Sequence, residues 1–197
     1  MSAAGEVLGD DAVRTYAQNP KPIGHPISFR LEGDRLVVDS GRRVDTVALG
    51  AVEEVRLTYA PGRLGRSTLA TKVRLTDGKT FGFSSVSFAS MVEMRVQGPE
   101  YRAFLFALLA AIARASPSAR FVAGQPLWRW LVTAALAAAM LFALVLIAWR
   151  AFHSGASGTA LLALCVGALG LWQLEPMVRL NRPRPFTPAA PPPELLP

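Results

Sequence analysis

Arg63, Arg66 and Lys72 fall within the stretch GRLGRSTLATK, which contains no acid. Guanidinium groups bind two phosphate oxygens at once through planar donors, and an ammonium adds a compact charge. The three are therefore candidate contacts for anionic lipid headgroups; the alternative is a solvated loop whose charges merely favour a nearby acidic surface. Glu175 is a different case, because it ends an apolar segment and a carboxylate at membrane depth is a functional suspect by default. Pro176, Arg179 and Arg182 follow directly, so Glu175 reads as an interfacial carboxylate among cations. His25 and His153 are isolated, without Cys, Asp or Glu at ligand spacing, and predict no metal site. Ser84, Ser85 and Ser87 lack a G-x-S-x-G setting, which argues against a serine hydrolase. The single cysteine, Cys165, lies inside an apolar segment, so no internal disulfide can form. No cofactor, catalytic residue or small-molecule substrate is expected.

Two apolar segments must be placed before anything else. Leu127–Trp149 is 23 residues long with one charge, Arg129. As a helix it reaches about 34 Å, enough to cross a hydrocarbon core of about 30 Å. Ser157–Leu174 adds 18 residues, extending to Val178 if Glu175 and Pro176 lie at the far interface. The link 150–156 carries Gly155 and small polar residues that suit a reversal. The pattern predicts a transmembrane hairpin, helix 127–149 and helix 157–178. Trp128, Trp130, Trp149 and Trp172 sit near the segment ends, where an indole anchors at the headgroups, with Arg129, Arg150, Arg179 and Arg182 as charged anchors. Arg114, Arg120 and Arg129 precede the hairpin and Arg179, Arg182 and Arg184 follow it, against Arg150 and His153 in the link. That asymmetry predicts both termini in the cytoplasm, and the acidic start MSAAGEVLGDDAV shows no cleavable signal. Small residues four apart, Ala134 with Ala138, Ala135 with Ala139 and Ala163 with Gly167, predict close helix packing within one hairpin or between protomers.

The remaining chain is near the size of one domain. Sixteen basic and 12 acidic residues precede Pro126, and 5 and 2 follow it. This modest excess suits a domain held against an anionic leaflet, whereas no nucleic-acid-binding motif accompanies it. Residues 1–25 show no sustained period and read as an irregular lead-in. From Pro26 the pattern alternates: Ile27, Phe29 and Leu31 form one strand face, Gly33-Asp34 turns into Leu36 and Val38, and Ser40-Gly41 makes the next turn. Val44 or Val47 with Leu49 marks a third strand. A fourth runs through Val52, Val55, Leu57 and Tyr59, with an irregularity near Gly50, and Ala60-Pro61-Gly62 ends it. Val73 and Leu75 lead through the hairpin signal Asp77-Gly78 to Phe81 and Phe83, and Val86 through Val96 supplies the seventh strand. After Gly98-Pro99-Glu100, Tyr101, Phe104, Leu105, Leu108, Leu109 and Ile112 recur at helical spacing up to Ser116-Pro117.

Seven short strands closed by one amphipathic helix, with RLVVDSG, VEEVRLTYAP and LTDGKTFGF ahead of that helix, resemble a bacterial pleckstrin-homology-like domain. The resemblance implies an α+β membrane protein: a PH-like seven-stranded barrel or sandwich over 26–118, capped by its C-terminal helix and followed by the hairpin. It implies a binding or scaffolding module and carries over no ligand residues. The tail 179–197 is too rich in proline for a helix and reads as an extended segment, either a docking strand or without fixed structure. The expected function is a non-enzymatic binding or assembly module at the inner membrane, with membrane lipids and a protein partner or a second copy as partners. The alternative is an accessory subunit of a larger transporter or membrane enzyme.

Overall fold

The computed structural model describes residues 15–21, 25–61, 67–88 and 93–197. The chain divides into two compact units, Met1–Ala123 with Arg184–Pro197, and Gly124–Pro183. The first is α+β.

Its first sheet is an antiparallel meander, β1 (Thr15–Gln18), β2 (Ile27–Glu32), β3 (Arg35–Asp39) and β4 (Val44–Ala48), in sequential order. A 3-10 turn at Leu49–Ala51 then leads to the second sheet. This contains β5 (Val52–Pro61), β6 (Ser67–Leu75), β7 (Thr80–Ser84), β10 (Arg120–Ala123) and β11 (Arg184–Pro185), in the order β11-β10-β5-β6-β7. A short hairpin of β8 (Val86–Phe88) and β9 (Met94–Val96) precedes helix α1 (Gly98–Ala115). Pro99 occupies the first turn of α1, where its missing N–H costs nothing, and Glu100 faces the positive end of the helix dipole.

The inward side of α1 and the facing sheet positions make one core. Tyr16, Phe29, Phe83, Tyr101 and Phe104 interlock, with Phe83 edge-on to Phe104 at 5.2 Å between ring centroids and Tyr16 stacked on Phe104 at 5.7 Å. Leu36, Val55, Val73, Leu105, Leu108 and Ile112 complete it at full burial. Two hydroxyls are admitted because they satisfy each other: Tyr101 and Thr71 oxygens lie 2.7 Å apart. Burial raises the pKa of both Tyr16 and Tyr101 above the usual phenol range.

Several expectations are corrected. Among the described residues there are eleven strands in three sheets where seven in a barrel or sandwich were expected, and no barrel closes, since β1, β4, β7 and β11 end their sheets. The lead-in contains β1, whose buried positions are Tyr16 and Gln18. Gln18 Oε1 accepts from the Ser84 backbone N–H at 2.8 Å, and its Nε2 donates to the Gly82 carbonyl at 3.4 Å. A side-chain amide thus meets the edge of β7 where a closed barrel would require a backbone ladder. Leu49 lies in the 3-10 turn and Val44 is 61% exposed on β4. The irregularity is a register shift between Val52 and Glu54. The segment before the hairpin is β10, parallel to β5 with Arg120 beside Glu54 and Ala123 beside Leu57. The tail supplies β11, antiparallel to β10, and a 3-10 turn that buries Leu195.

The second unit contains α2 (Leu127–His153) and α3 (Ser157–Leu180), both long and apolar enough to cross a membrane. Only 11% and 6% of their most apolar windows are buried, unlike the core helices of a water-soluble fold. The first helix runs one turn further than expected, through Arg150–His153, leaving Ser154–Ala156 as the reversal.

Candidate functional site

Of the expected lipid-contacting trio, Lys72 lies among the described residues. Arg63 and Arg66 lie outside the described residues. Lys72 belongs to β6 rather than to a loop, since that strand begins at Ser67; it is exposed, opposite Arg56 on β5 and Gly82 on β7. Around it the outer face of the sheet carries a charge lattice that the strand-by-strand reading did not reveal. The Glu54 side chain, 11% exposed, accepts from Arg56 Nε at 3.0 Å and pairs with its Nη2 at 2.9 Å. Glu53 accepts from Arg74 at 3.0 Å and Arg120 at 3.1 Å. The register shift makes this possible by bringing consecutive carboxylates within reach of cations on β6 and β10. Three guanidiniums and Lys72 stand against two carboxylates, so the face is net positive and the lattice fixes the arginines' positions.

A groove of ≈ 350 Å³ separates the edges of β4 and β7. Val47, Leu75 and Phe81 line its floor, with ion pairs on its rims: Arg43 to Asp45 at 2.6 Å and Lys79 to Asp77 at 2.9 Å. Hydrogen bonding to Lys79 holds the Asp77 carboxyl below the usual range. The groove offers apolar surface between two strand edges, with balanced charge on its rims.

The serines are structural. Ser84 Oγ donates to the Val86 carbonyl at 2.9 Å, Ser85 Oγ accepts from Leu69 N–H at 3.0 Å, and Ser87 Oγ accepts from Asn19 N–H at 2.9 Å. Among the described residues no three of His, Cys, Asp or Glu come together as metal ligands would.

In the hairpin, the less exposed positions of α2 besides Thr133 are Trp130, Ala134, Ala137, Leu141, Leu144, Ala148 and Ala151. On α3 they include Ala160, Ala163, Gly167, Gly170 and Leu174. Steps of three and four alternate on both helices, the period of a left-handed seam. Ala134, Ala163 and Gly167 belong to it; Ala138 is exposed beside it, because a constant step of four drifts off a 3.5-residue seam. A Cβ on Gly167 would meet Leu144 at 3.9 Å, ordinary contact distance.

Trp128, Trp149 and Trp172 are all exposed, and the Arg129 guanidinium lies 5.1 Å from the Trp128 ring centre. Trp130 differs: its Nε1 donates to the Val178 carbonyl at 2.8 Å and ties the base of α2 to α3. Arg150 is exposed in the last turn of α2, Arg182 is exposed beyond α3, and Arg179 pairs with Glu175 one turn earlier.

No protein-family model and no curated protein matches the chain. Among solved structures, the Inner Membrane Complex Sub-compartment Protein 3 of Toxoplasma gondii is 14% identical, with a TM-score of 0.33, over 58% of this chain and 90% of that one. A likeness this distant carries no argument about fold or function.

Proposed function

We propose that the chain is a membrane-anchored, non-enzymatic binding module, with a PH-like domain presented at the cytoplasmic face of a bacterial inner membrane by a two-helix hairpin. The observation that carries the reading is the pairing of β10 with β11, Val122 opposite Pro185 and Ala123 opposite Arg184. These strands lead into α2 and out of α3 within one folded unit, so both ends of the hairpin emerge on one side of any bilayer it crosses. The flanking arginines favour the cytoplasmic side. The net positive sheet face supports attraction to an anionic leaflet at about 1 kcal/mol per nearby cation. The groove between β4 and β7 supports a protein partner, since peptides commonly bind beside unpaired strand edges.

Two measurements on the full chain test this. In a Cys165→Ser background, Ala156→Cys should react with an impermeant maleimide on intact spheroplasts, and Ala189→Cys only after permeabilisation. The reverse pattern, or labelling of both, sinks the topology. In nanodiscs, β6 and β7 should exchange amide hydrogens more slowly on anionic than on neutral lipid, and Lys72→Gln with Arg74→Gln and Arg120→Gln should reduce the difference. Identical exchange on both lipids would leave only the protein-binding half of the reading standing.

A further inference from the structure

On one flank of the helix pair lies a groove of ≈ 310 Å³. Ala134, Ala137 and Ala138 form one wall, and Leu171, Leu174 and Val178 form the other. The groove exists because the α2 wall has no side chain larger than a methyl until Leu141, while the bulkier α3 residues stand beside it. Its lining is apolar except at one end, where Glu175 and Arg179 pair one helical turn apart with side chains 46% and 64% exposed. That end adjoins the termini of both helices, since Trp130 in the first turn of α2 bonds to Val178. A carboxylate close to a helix C-terminus opposes the helix dipole, and among the described residues Arg179 is the cation that meets it.

We infer that this groove holds one acyl chain of a zwitterionic aminophospholipid, with the phosphate on Arg179 and the primary ammonium on Glu175. Charge complementarity selects the headgroup. An anionic glycerol headgroup would bring its phosphate to Arg179 but offer no cation to Glu175. A quaternary choline has the charge but no N–H to donate. A primary ammonium satisfies both, and it replaces water as a hydrogen-bonding partner at a carboxylate flanked by Leu171 and Leu174. The apolar walls match a hydrocarbon chain running from the interface past Ala137 and Ala138. A helix side chain would have to fill the same space in any protein occupant.

The inference rests on the hairpin lying in a bilayer, so carbonate-resistant membrane association of each variant is measured first. Full-length protein is then exchanged into nanodiscs or mild detergent with matched-chain phosphatidylethanolamine, phosphatidylcholine or phosphatidylglycerol, and retained lipid is counted by native mass spectrometry. Phosphatidylethanolamine should be retained about tenfold more than either competitor, the scale of one charge-assisted hydrogen bond. Glu175→Gln should remove that preference without altering dispersity. Ala138→Leu should reduce retention of all three by filling the groove. Stable integration with equal retention of the three lipids, a preference for phosphatidylglycerol, or a preference that survives Glu175→Gln would overturn the inference. So would dimers replacing bound lipid, which would make a second copy the occupant.

Discussion

Gly124 joins β10 to α2 with φ +84°, and a Cβ built there would lie 2.4 Å from the Asn181 carbonyl oxygen and 2.5 Å from that of Arg182. Both obstacles are backbone, so no rotamer change relieves them. Beside this contact the Gln125 N–H donates to the Asn181 carbonyl at 2.9 Å, so the chain entering α2 touches the chain leaving α3. Gly124→Ala therefore carries two costs. Left-handed backbone costs an L-residue about 1–2 kcal/mol. Separating the two backbones by most of an ångström adds about 1–3 kcal/mol, as overpacking does. The expected total is about 2–5 kcal/mol. Two other glycines of the same unit isolate the terms. Gly155, φ +77° with nothing within 4 Å, carries the conformational term alone, so Gly155→Ala should cost about 1–2 kcal/mol. Gly158 has neither feature, and Gly158→Ala in the first turn of α3 should be neutral or stabilise by up to about 1 kcal/mol. Thermal unfolding of full-length protein in mild detergent, followed by tryptophan emission, ranks the three. If Gly124→Ala is no worse than Gly155→Ala, the close approach at the hairpin base does not exist.

In the helix seam, Ala163→Leu and Gly167→Leu should each destabilise the hairpin by about 1–3 kcal/mol, while Gly167→Ala and the exposed Leu161→Ile should be nearly neutral; equal effects of all four on thermal stability and oligomer distribution would refute the seam. Leu195, 1% exposed, should cost about 2–4 kcal/mol when cut to Ala, although it stands in a proline-rich tail; an unchanged urea midpoint for the α+β unit would mean the tail does not dock. Tyr16 and Tyr101 titrate above unfolded tyrosine, so the stability they contribute is complete below about pH 10 and is lost as the pH rises further. Absorbance at 295 nm should therefore show no phenolate from either until the fold opens, which Tyr16→Phe and Tyr101→Phe would identify; reversible ionisation of both in folded protein near pH 10 contradicts their burial.

The two apolar segments, the alternation through β2 and β3, the Asp77-Gly78 hairpin and the amphipathic α1 were all legible, because each depends on local periodicity or turn chemistry. What escaped depends on distant partners. In β1 a polar Gln18 occupies an inward position that makes sense only once Ser84 and Gly82 are beside it. In β10, RFVA is too short to announce itself, and its pairing with β5 spans more than sixty residues of sequence. Proline counts hid β11, although a two-residue strand at a sheet edge tolerates Pro185. The charge lattice was illegible for a related reason: a register shift aligns Glu53 and Glu54 with cations from two other strands, and no spacing in the sequence encodes it.

The sheet also has an order of assembly imposed by synthesis. The ribosome delivers β5, β6, β7 and β10 before the hairpin, and β11 only after both apolar helices have been made. Until Arg184–Phe186 have been made, β10 lacks its outer neighbour and Phe121 lacks Phe186, whose ring centre sits 5.9 Å away in the finished fold. On the proposed two-span topology the last strand would serve as a proof of insertion: a chain whose second helix failed to return would keep its tail on the wrong side and expose an open edge. Variants blocked in insertion should be cleaved first around Arg120–Ala123 by a protease added to the side that holds β10, and resistance there would show that β10 is secured without β11.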